Sequence, residues 1–511
     1  MAEPIVRFEH ISQQFPGVLA NDDVSLDIYP GEVFALVGEN GAGKSTLMNV
    51  LYGLNEHTGG QLYVKGKRVE RQTPDQAIAM GVGMVHQHFK LVGSFTVAQN
   101  VVLCCEPTKG LGLYDFAEAE RVVRQLSADF GLEIDPQAKV RSLSVGLQQR
   151  VEILKTLHRG ADILILDEPT AVLTPQETKE LFRVIRGIVR DKGMTVIIIT
   201  HKLNEVMAIS DRVGVMRGGK LVGLKETKDV DERMLASMMV GRDVLFSELE
   251  KFGWLGRPLI QTEDLHVLSD RLLPAVRGVS LEVRKGEIVG IAAIEGNGQS
   301  ELVEAITGMR DVQSGRVFVS GVDVRNKMPG EVRSLGLAHI PEDHLRTGMS
   351  AKASVEENLL AGKQRTRAFA KGGIHLRRRA IRDYARQLFA KFDIRGASLD
   401  TAAGKLSGGN MQKMVIAREF SLDAKALIVS QPTRGVDIGA IEFIHKAIVE
   451  KRNAGCAVLL VSADLDEVFR LSDRIITMFE GRVTGRFRAG EIDKESIGYY
   501  MTGARDEEAD A

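Results

Sequence analysis

The sequence predicts an α/β protein built from two similar halves, each with helical insertions. Residues 38–45 (Gly-Glu-Asn-Gly-Ala-Gly-Lys-Ser) return 255 residues later as residues 293–300 (Ala-Ile-Glu-Gly-Asn-Gly-Gln-Ser). An apolar run, residues 32–37 or 287–292, precedes each copy. Further apolar runs at 162–166, 196–200, 426–429 and 457–461 are typical of parallel strands buried on both faces.

Each half opens with a β-like alternation, followed by a strand, the glycine-rich segment and a helix. Helices are predicted at 117–130 and 378–392. A short stretch containing the single tryptophan joins the halves, and the last residues are polar and acidic. We therefore predict a first domain at 1–240, a linker at 241–258, a second domain at 259–503 and an acidic tail at 504–511.

Composition narrows the class of protein. With 67 basic and 68 acidic residues in 511, the chain has no strongly basic footprint of the kind that nucleic acid or anionic lipid attracts, so we expect no nucleic-acid partner. No signal peptide or membrane-spanning helix is expected, so other chains would do any spanning. Cys104, Cys105 and Cys456 have neither disulfide nor metal-site spacing; we expect the adjacent pair to be apolar fillers and the setting to be reducing and cytosolic.

The first glycine-rich segment fits the pattern G-x-x-x-x-G-K-[ST]. In that pattern the backbone N–H groups wrap a phosphate, the lysine neutralises it and the hydroxyl binds magnesium. Lys44 and Ser45 take the last two positions, and the strand, loop and helix context supports this interpretation. In the second copy Gln299 stands at the lysine position, so the two copies are predicted to differ in chemistry.

Polar residues follow the apolar strands of the first half. Asp167 and Glu168 end one strand, and they suit a magnesium ligand and a residue that polarises the attacking water. The alternative is an ordinary charged strand end. His201 follows the next strand, at the edge of a parallel sheet where ligands bind. Gln87 lies at another strand exit, within expected reach of the metal or the water.

Two further segments, residues 143–150 (Leu-Ser-Val-Gly-Leu-Gln-Gln-Arg) and 406–413 (Leu-Ser-Gly-Gly-Asn-Met-Gln-Lys), complete a known set of motifs. With them the chain resembles ATP-binding cassette (ABC) ATPases, with two cassettes fused between about residues 6 and 503. The resemblance implies two tandem P-loop NTPase cores, each with an antiparallel β subdomain and a helical subdomain. It also implies ATP and Mg²⁺ as cofactors, and cassettes that pair head to tail.

The resemblance assigns roles for a first site. Glu168, His201 and Gln87 would be catalytic, and Ser45, Gln87 and Asp167 would hold the metal. Phe15 would stack on adenine, with edge packing as the alternative. The implied ATP-binding residues are Phe15, Gly38, Glu39, Asn40, Gly41, Ala42, Gly43, Lys44, Ser45 and Thr46, together with Ser407, Gly408, Gly409 and Asp437 of the second half.

The losses in the sequence all fall on the parts that would serve the second site. The aligned pairs are Lys44 with Gln299, Asp167 with Ser430, Glu168 with Gln431, and His201 with Ala463. Val145, Leu147 and Thr174 also depart from the family pattern, and the position matching Phe15 falls near Asp270. Backbone amides near Gly296, Gly298 and Ser300 can still hold an anion. Hydrolysis is not expected there, because the Gln431 amide cannot accept a proton from water.

Three kinds of work are compatible with an ATPase of this type. The short linker and the Ser430-Gln431 pair argue against a soluble two-cassette protein acting on ribosomes, which remains the alternative. A DNA-repair or chromosome ATPase would need zinc-type cysteines or a long coiled coil inserted in a cassette, and the sequence contains neither. The chain resembles bacterial monosaccharide and nucleoside importer ATPases, with motifs closer to the nucleoside branch; the solute itself is not encoded here.

An importer of this type implies partners. The resemblance predicts two membrane permease subunits, a solute-binding protein acting through the complex, and peripheral association with the cytoplasmic face of the inner membrane. The segments after Gln87 and Glu342 would receive the permeases, with Phe89 and Leu91 as exposed apolar contacts. Because those two segments differ in sequence, we expect non-identical permeases.

Overall fold

The computed structural model describes residues 3–505, apart from 17, 40, 71–72, 87–88, 111, 171–172, 242–248, 295, 396–397, 435 and 437, and leaves the side chains of 438 and 439 undescribed. The chain divides into two compact units, Met1–Leu245 and Phe246–Ala511. Each unit has its own sheets and its own hydrophobic core.

The first unit alternates strands and helices. Its strands are β1 (Val6–Phe15), β2 (Val18–Ile28), β3 (Val33–Gly38), β4 (Gly59–Val64), β5 (Lys67–Val69), β6 (Val82–Val85), β7 (Thr108–Lys109), β8 (Leu113–Tyr114), β9 (Ile163–Asp167), β10 (Thr195–Thr200), β11 (Arg212–Arg217) and β12 (Lys220–Glu226). Its helices are α1 (Lys44–Tyr52), α2 (Pro74–Ala79), α3 (Val97–Val101), α4 (Phe116–Phe130), α5 (Val145–His158), α6 (Pro175–Lys192), α7 (Leu203–Ile209) and α8 (Glu232–Val240).

Two larger sheets organise this unit. One is antiparallel, with strand order β2-β1-β4-β5. The other has strand order β12-β11-β3-β10-β9-β6, in which all pairs except β11 with β12 are parallel. Because β3, β9 and β10 run parallel as neighbours, their carboxyl ends lie at one edge of the sheet, where α/β proteins bind ligands.

Local sequence explains where these elements begin and end. The six residues of β10 are all buried and rich in isoleucine, as expected for a central strand covered on both faces. Helix α1 ends at Gly53, whose φ of 82° suits a left-handed C-terminal cap. Helix α6 begins after Thr174, which forms a capping box with Glu177 and is followed by Pro175.

The second unit repeats the plan of the first. Its strands are β13 (Pro258–Leu268), β14 (Pro274–Arg284), β15 (Ile288–Ala292), β16 (Val312–Val319), β17 (Val322–Asp323), β18 (Leu337–Ile340), β19 (Ala370–Lys371), β20 (His375–Leu376), β21 (Ala426–Ser430), β22 (Ala457–Ser462), β23 (Arg474–Phe479) and β24 (Arg482–Arg488). Its helices are α9 (Gln299–Ile306), α10 (Pro329–Ser334), α11 (Val355–Leu360), α12 (Arg378–Lys391), α13 (Gly408–Phe420), α14 (Ile438–Asn453), α15 (Leu465–Leu471) and α16 (Lys494–Met501).

The strand order of the second unit matches that of the first. Its antiparallel sheet is β14-β13-β16-β17, and its main sheet, from the hairpin edge, is β24-β23-β15-β22-β21-β18. Strand β15 therefore occupies the place of β3, and β21 and β22 occupy the places of β9 and β10. The sequence repeat is a structural repeat, which confirms the predicted fold class of two α/β cassettes.

The predicted elements agree with the structure to within a residue or two. The helices expected at 117–130 and 378–392 are α4 and α12, and the four later apolar runs are β9, β10, β21 and β22. The expectation for the cysteine pair is wrong, since Cys104 and Cys105 are exposed while Cys456 is buried. No helix among the described residues is long and apolar enough to cross a bilayer.

The later part of the predicted linker is hydrogen-bonded to the second unit. Lys251 Nζ donates to Ser472 O at 2.8 Å, and Asn453 Nδ2 donates to Glu250 O at 3.0 Å. Arg452 Nη1 donates to Phe252 O at 2.7 Å. The segment before β13 is therefore part of the fold of this unit. The acidic tail from residue 506 and the stretch 242–248 lie outside the described residues.

Candidate active site

The glycine-rich loop of the first unit connects β3 to α1. Gly43, the residue before α1, has φ 97°, and a Cβ there would lie 2.3 Å from Ala20 O. The side chain of Asn21 donates from Nδ2 to Gly43 O at 3.0 Å. The loop is therefore packed tightly against β2, and this position requires glycine both for its backbone conformation and for space.

Lys44 lies inside this loop, with 6% of its surface exposed. Its Nζ donates to Gly38 O at 2.7 Å and to Glu39 O at 2.9 Å. Burial lowers the pKa of Lys44, while the nearby carboxylates oppose that shift. Two neutral carbonyl oxygens thus hold the ammonium in position, and an incoming phosphate can replace them as its partner.

Asp167 ends β9 beside the first turn of α1. Ser45 Oγ donates to Asp167 Oδ1 at 3.4 Å, and burial raises the pKa of the Asp167 carboxyl. A hydroxyl and a carboxylate in contact are hard oxygen ligands of the type Mg²⁺ takes, usually one or two from protein with phosphate and water supplying the rest. The described residues contain no group of three or more His, Cys, Asp or Glu able to hold a metal.

Glu168 and His201 form the second polar pair at this sheet edge. His201 Nδ1 lies 2.9 Å from Glu168 Oε1. Burial raises the pKa of Glu168, but the hydrogen bond and charge of His201, together with the charge of Lys44, outweigh it, and the net pKa is lowered. Glu168 is therefore held as a carboxylate, the form a general base needs, with Nδ1–H of His201 as the donor.

Sequence reasoning missed a buried group behind this pair. Glu205 on α7, 6% exposed, accepts hydrogen bonds from Thr170 Oγ1 and, at 3.1 Å, from Thr200 Oγ1. Thr170 follows the two carboxylates, and Thr200 precedes His201. Glu205 therefore links, by hydrogen bonds, the two loops that contain Glu168 and His201.

Gln149 on α5 is a second residue that sequence reasoning missed, and its Nε2 donates to Pro169 O at 2.6 Å. In the second unit Gln412 Nε2 donates to Pro432 O in the same way. Gln149 and Gln412 occupy the same position of the two segments 143–150 and 406–413. Their recurrence in both halves was the available signal.

For the other predicted site residues we report only their place in the chain and, for Phe15, its exposure. Phe15 ends β1 and is 39% exposed. Ser407, Gly408 and Gly409 lie at the start of α13, within the second unit. Asn40, Gln87 and Asp437 lie outside the described residues.

The matching loop of the second unit keeps the backbone and loses the charges. Gln299 Nε2 donates to Ile294 O at 3.0 Å, the carbonyl that corresponds to Glu39 O. Gly298 has φ 94°, and a Cβ there would lie 2.1 Å from Ala275 O. The amide therefore replaces the ammonium in a loop whose last glycine keeps the same left-handed conformation.

The loop after β21 also keeps the backbone conformation of the first unit and loses the charged side chains. Gln431 has φ 50°, close to the 48° of Glu168. Its side-chain Oε1 accepts from the backbone N–H of Ala463 at 3.2 Å, at the position that His201 occupies in the first unit. Ser430 replaces Asp167, so this unit lacks both the predicted metal carboxylate and the predicted base.

The architecture and the sites agree with comparisons to known proteins. The family model described as ABC transporter matches residues 21–171 and 276–434, once in each unit. The chain belongs to the ABC transporter family. The ATP-binding proteins of this family are ATPases, and the cluster of Lys44, Glu168 and His201 in the first unit is the candidate hydrolytic site.

Relatives similar over nearly the whole chain are named as import ATP-binding proteins. The nucleoside import protein NupA of Lactococcus lactis is 44% identical, with 98% of both chains covered, and the guanosine import protein NupO of Bacillus subtilis is 45% identical, with 99% of both covered. The glucose import protein TsgD13 of Haloferax volcanii is 44% identical over all of this chain and 98% of its own.

Proposed function

We propose that this chain is the ATP-binding and hydrolysing subunit of an importer for nucleosides or simple sugars. The observation that carries the catalytic part is the 2.9 Å contact between His201 and Glu168, one residue after the Asp167 that meets Ser45. The import function is supported by relatives of full length whose names describe import of nucleosides, guanosine and glucose. The relatives named for nucleoside and guanosine import are 44 and 45% identical, and two ribose import relatives are 39% identical, which favours the nucleoside branch over ribose.

The first unit supplies the groups that hydrolysis requires. Backbone N–H groups of the loop and the Lys44 ammonium bind the phosphate chain of ATP, and Glu168 accepts a proton from the attacking water. His201 keeps Glu168 ionised and oriented. Ser45 and Asp167 would hold Mg²⁺, with Gln87 proposed as a further ligand, and the ion would supply positive charge to the phosphate oxygens.

The segment 406–413 of the second half is proposed to complete this site. Ser407, Gly408 and Gly409 precede or open α13, and a helix N-terminus that begins with small residues suits contact with a phosphate group. We also propose that Asp437 of the second half contributes to this site and that Phe15 is the adenine partner. The second unit is proposed not to hydrolyse ATP, because Gln431 is no base.

The proposed partners are two non-identical membrane subunits, with a solute-binding protein acting through them. Phe89 and Leu91, the contacts expected from the sequence, are half-buried, whereas Val92 and Phe95 nearby are 36% exposed. In the first unit a groove beside this segment is lined by Lys90, Glu152, Lys155 and other residues. The matching groove in the second unit holds Arg333 and Arg418, so the two faces suit different partners.

This partner assignment places the chain at the cytoplasmic face of the inner membrane as a peripheral subunit. The ribosome-acting alternative has no observation in its favour, and the relatives described above are import proteins. ATPase activity that required ribosomes and never accompanied membranes would overturn the import proposal.

The decisive experiment measures ATP hydrolysis by the complex reconstituted with its membrane subunits. Glu168→Gln is expected to remove nearly all steady-state activity, a loss of about 10²-fold or more, because the general base is gone while the shape is kept. Retention of half the activity would show that the second unit hydrolyses ATP. Adding candidate nucleosides and sugars with their binding protein then identifies the solute by stimulation of the wild-type rate.

A further inference from the structure

One segment of the second unit has a large excess of positive charge, although the whole chain is almost neutral. Residues 365–395 contain ten lysines and arginines and two carboxylates. The matching segment of the first unit, residues 103–133, contains three lysines and arginines and six carboxylates. The two segments match because β19, β20 and α12 follow one another as β7, β8 and α4 do. The charge of this region therefore differs in sign between the two units.

Most cations of this segment in the second unit are exposed and lie outside ion pairs. Among the residues that the structure describes, no carboxylate lies within 4 Å of the charged atoms of Arg365, Arg367, Lys371, Arg377, Arg378 and Arg379. In the first unit every cation of the segment is paired: Lys109 with Asp115, Arg121 with Glu118, and Arg124 with Glu120. The positive charge of the second unit is therefore available to an external anionic partner.

Three of these arginines lie where a helix favours carboxylates. In the first unit Asp115 accepts a hydrogen bond from the N–H of Glu118 at 3.3 Å and so caps α4. The matching residue of α12 is Arg377, whose side chain gives no cap, and Arg378 and Arg379 follow it. Carboxylates stabilise the N-terminal end of a helix and cations destabilise it, so helix stability does not explain these arginines. A local rule broken in this way indicates a role in binding.

An exposed isoleucine lies among these cations. The β19–β20 hairpin turns through Gly372 and Gly373, which have φ of 63° and 75°, and the next residue, Ile374, is 80% exposed. Leu376, directly before the arginines, is 43% exposed. Phosphates of a nucleic acid pair with cations alone, whereas the surface of a membrane takes up both an apolar side chain and the cations around it. The combination favours an anionic bilayer over a nucleic acid.

From these observations we propose that the tip of the β19–β20 hairpin and the start of α12 contact the anionic headgroups of a lipid bilayer. Ile374 enters the interface, while Lys371 and the arginines 377–379 pair with lipid phosphates. This contact is additional to the permease contacts proposed above. It deepens the proposed peripheral association with the membrane and rests on that proposal for its place in the cell.

The corresponding hairpin of the first unit has the apolar exposure without the charge. Leu113 and Phe116 are 69% and 62% exposed. The neighbouring Asp115 and Glu118 are carboxylates, which an anionic surface repels. The first unit therefore provides matched controls at the same position of the fold.

Binding of the purified full chain to lipid vesicles tests the proposal. The chain is expected to sediment with vesicles that contain phosphatidylglycerol, not with phosphatidylcholine alone, and added salt is expected to release it. The triple variant Arg377→Ala, Arg378→Ala and Arg379→Ala is expected to bind about 10²-fold more weakly, at about fivefold per cation. Its unfolding temperature should not fall, because these arginines oppose the helix dipole. Absence of binding to anionic vesicles, or unchanged binding by the folded triple variant, would overturn the proposal.

The first unit supplies the control for lost charge. The variant Lys109→Ala, Arg121→Ala and Arg124→Ala removes three cations from the matching segment and is expected to leave vesicle affinity unchanged. An equal loss of affinity in the two triple variants would mean that net charge alone matters, and the assigned surface would be wrong.

Ile374→Ser separates a bilayer from a nucleic acid as the partner. It is expected to weaken vesicle binding severalfold, because its apolar side chain no longer enters the interface. Leu113→Ser, the control at the first hairpin, is expected to have no effect. If Ile374→Ser also had none, and an RNA oligonucleotide displaced the chain from vesicles, the bilayer assignment would be wrong. Permeases and ATP hydrolysis take no part in these measurements, so their outcome is independent of the ATPase test described above.

Discussion

Glu168 and Gln431 are residues of different chemistry in one backbone conformation. Both have φ near 50°, a region that costs a residue other than glycine about 1–3 kcal/mol. In both, the backbone N–H donates to the neighbouring central strand, to Ile199 O at 2.9 Å and to Val461 O at 2.8 Å. The fold therefore imposes this strained conformation on the residue directly after β9 and β21. The side chain at that position alone decides whether the site has a general base.

The pKa of Glu168 leads to a prediction about His201. In His201→Ala the hydrogen bond and charge that lower this pKa are lost, and the burial that raises it remains. The carboxylate is then protonated at a higher pH than in the wild type. The acid limb of the pH–rate profile of ATP hydrolysis is therefore expected to move to higher pH, with a fall of about tenfold or more in neutral-pH rate.

His10 offers the matched control for that measurement. Its Nδ1 lies 2.7 Å from Asp23 Oδ1, but both side chains are largely exposed and neither bonds Glu168. His10→Ala is expected to leave the profile in place. An unshifted acid limb in His201→Ala would show that His201 does not control the ionisation of Glu168.

Among the secondary-structure elements, three parallel strands position the site at their carboxyl ends. β3 leads into the glycine loop, β9 into the two carboxylates and β10 into His201. Residues from helices behind these strands join the loops to each other: Glu205 on α7 bonds both Thr170 and Thr200. The helices therefore stabilise the geometry of loops that lack regular structure of their own.

Replacing Glu205 tests this coupling. In Glu205→Gln an amide oxygen can serve one threonine hydroxyl, and the other loses its buried acceptor, which costs about 1–3 kcal/mol. The free energy of opening of β9 and β10, measured by native-state hydrogen exchange, is expected to fall by that amount. The exposed Glu133→Gln should not change it, and a Glu205 variant equal to that control would contradict the role given to Glu205.

At the scale of the whole molecule, one architecture occurs twice with divergent chemistry. The two main sheets share a strand order, and the two glycine loops share a conformation that depends on Gly43 and Gly298. Burial of core residues and contacts of backbone with backbone are retained in both units, since each unit must fold. Charged residues at the sheet edge contribute little to that core, so they are free to change.

The segment before β13 supports a prediction about the second unit. Contacts of residues 250–252 with Arg452, Asn453 and Ser472 comprise four hydrogen bonds: those from Lys251, to Glu250, to Phe252 and from Phe252 N–H. At about 0.5–1.5 kcal/mol each, their loss is worth about 2–6 kcal/mol. A chain of residues 257–511 is therefore expected to unfold in less urea than one of residues 249–511, by circular dichroism. Equal midpoints would show that this segment is only a connector.

Much of the fold and of the first site follows from local patterns. Apolar runs mark the central strands because strands covered on both faces must be apolar throughout. Glycines mark the phosphate loop because its backbone needs left-handed conformations and close approach. These requirements are written in consecutive residues, which is why β9, β10, β21 and β22 were predicted to within a residue.

Side-chain contacts between residues far apart in the sequence could be predicted only in part. Nothing in the local sequence around Glu205 shows that Thr170 and Thr200 approach it, because that contact depends on the packing of α7 against two strand exits. The ion pair of Glu342 with Arg434 likewise spans two loops far apart in the chain. Its residues appear in the sequence as separate departures from a pattern, with no sign that they meet.

The repeat of residues 38–45 at 293–300 therefore reflects both local sequence and tertiary contacts. The amino-acid sequence predicts two α/β cassettes, the presence of Lys44, Asp167, Glu168 and His201 in one of them, and the difference that Gln299 marks in the other. The contact that holds Glu168 ionised beside His201, and the pairing of Arg434 with Glu342, are visible only in the folded chain. The reason is physical: strand pattern and glycine loops are local constraints, whereas ionisation and charge pairing depend on which groups burial brings together.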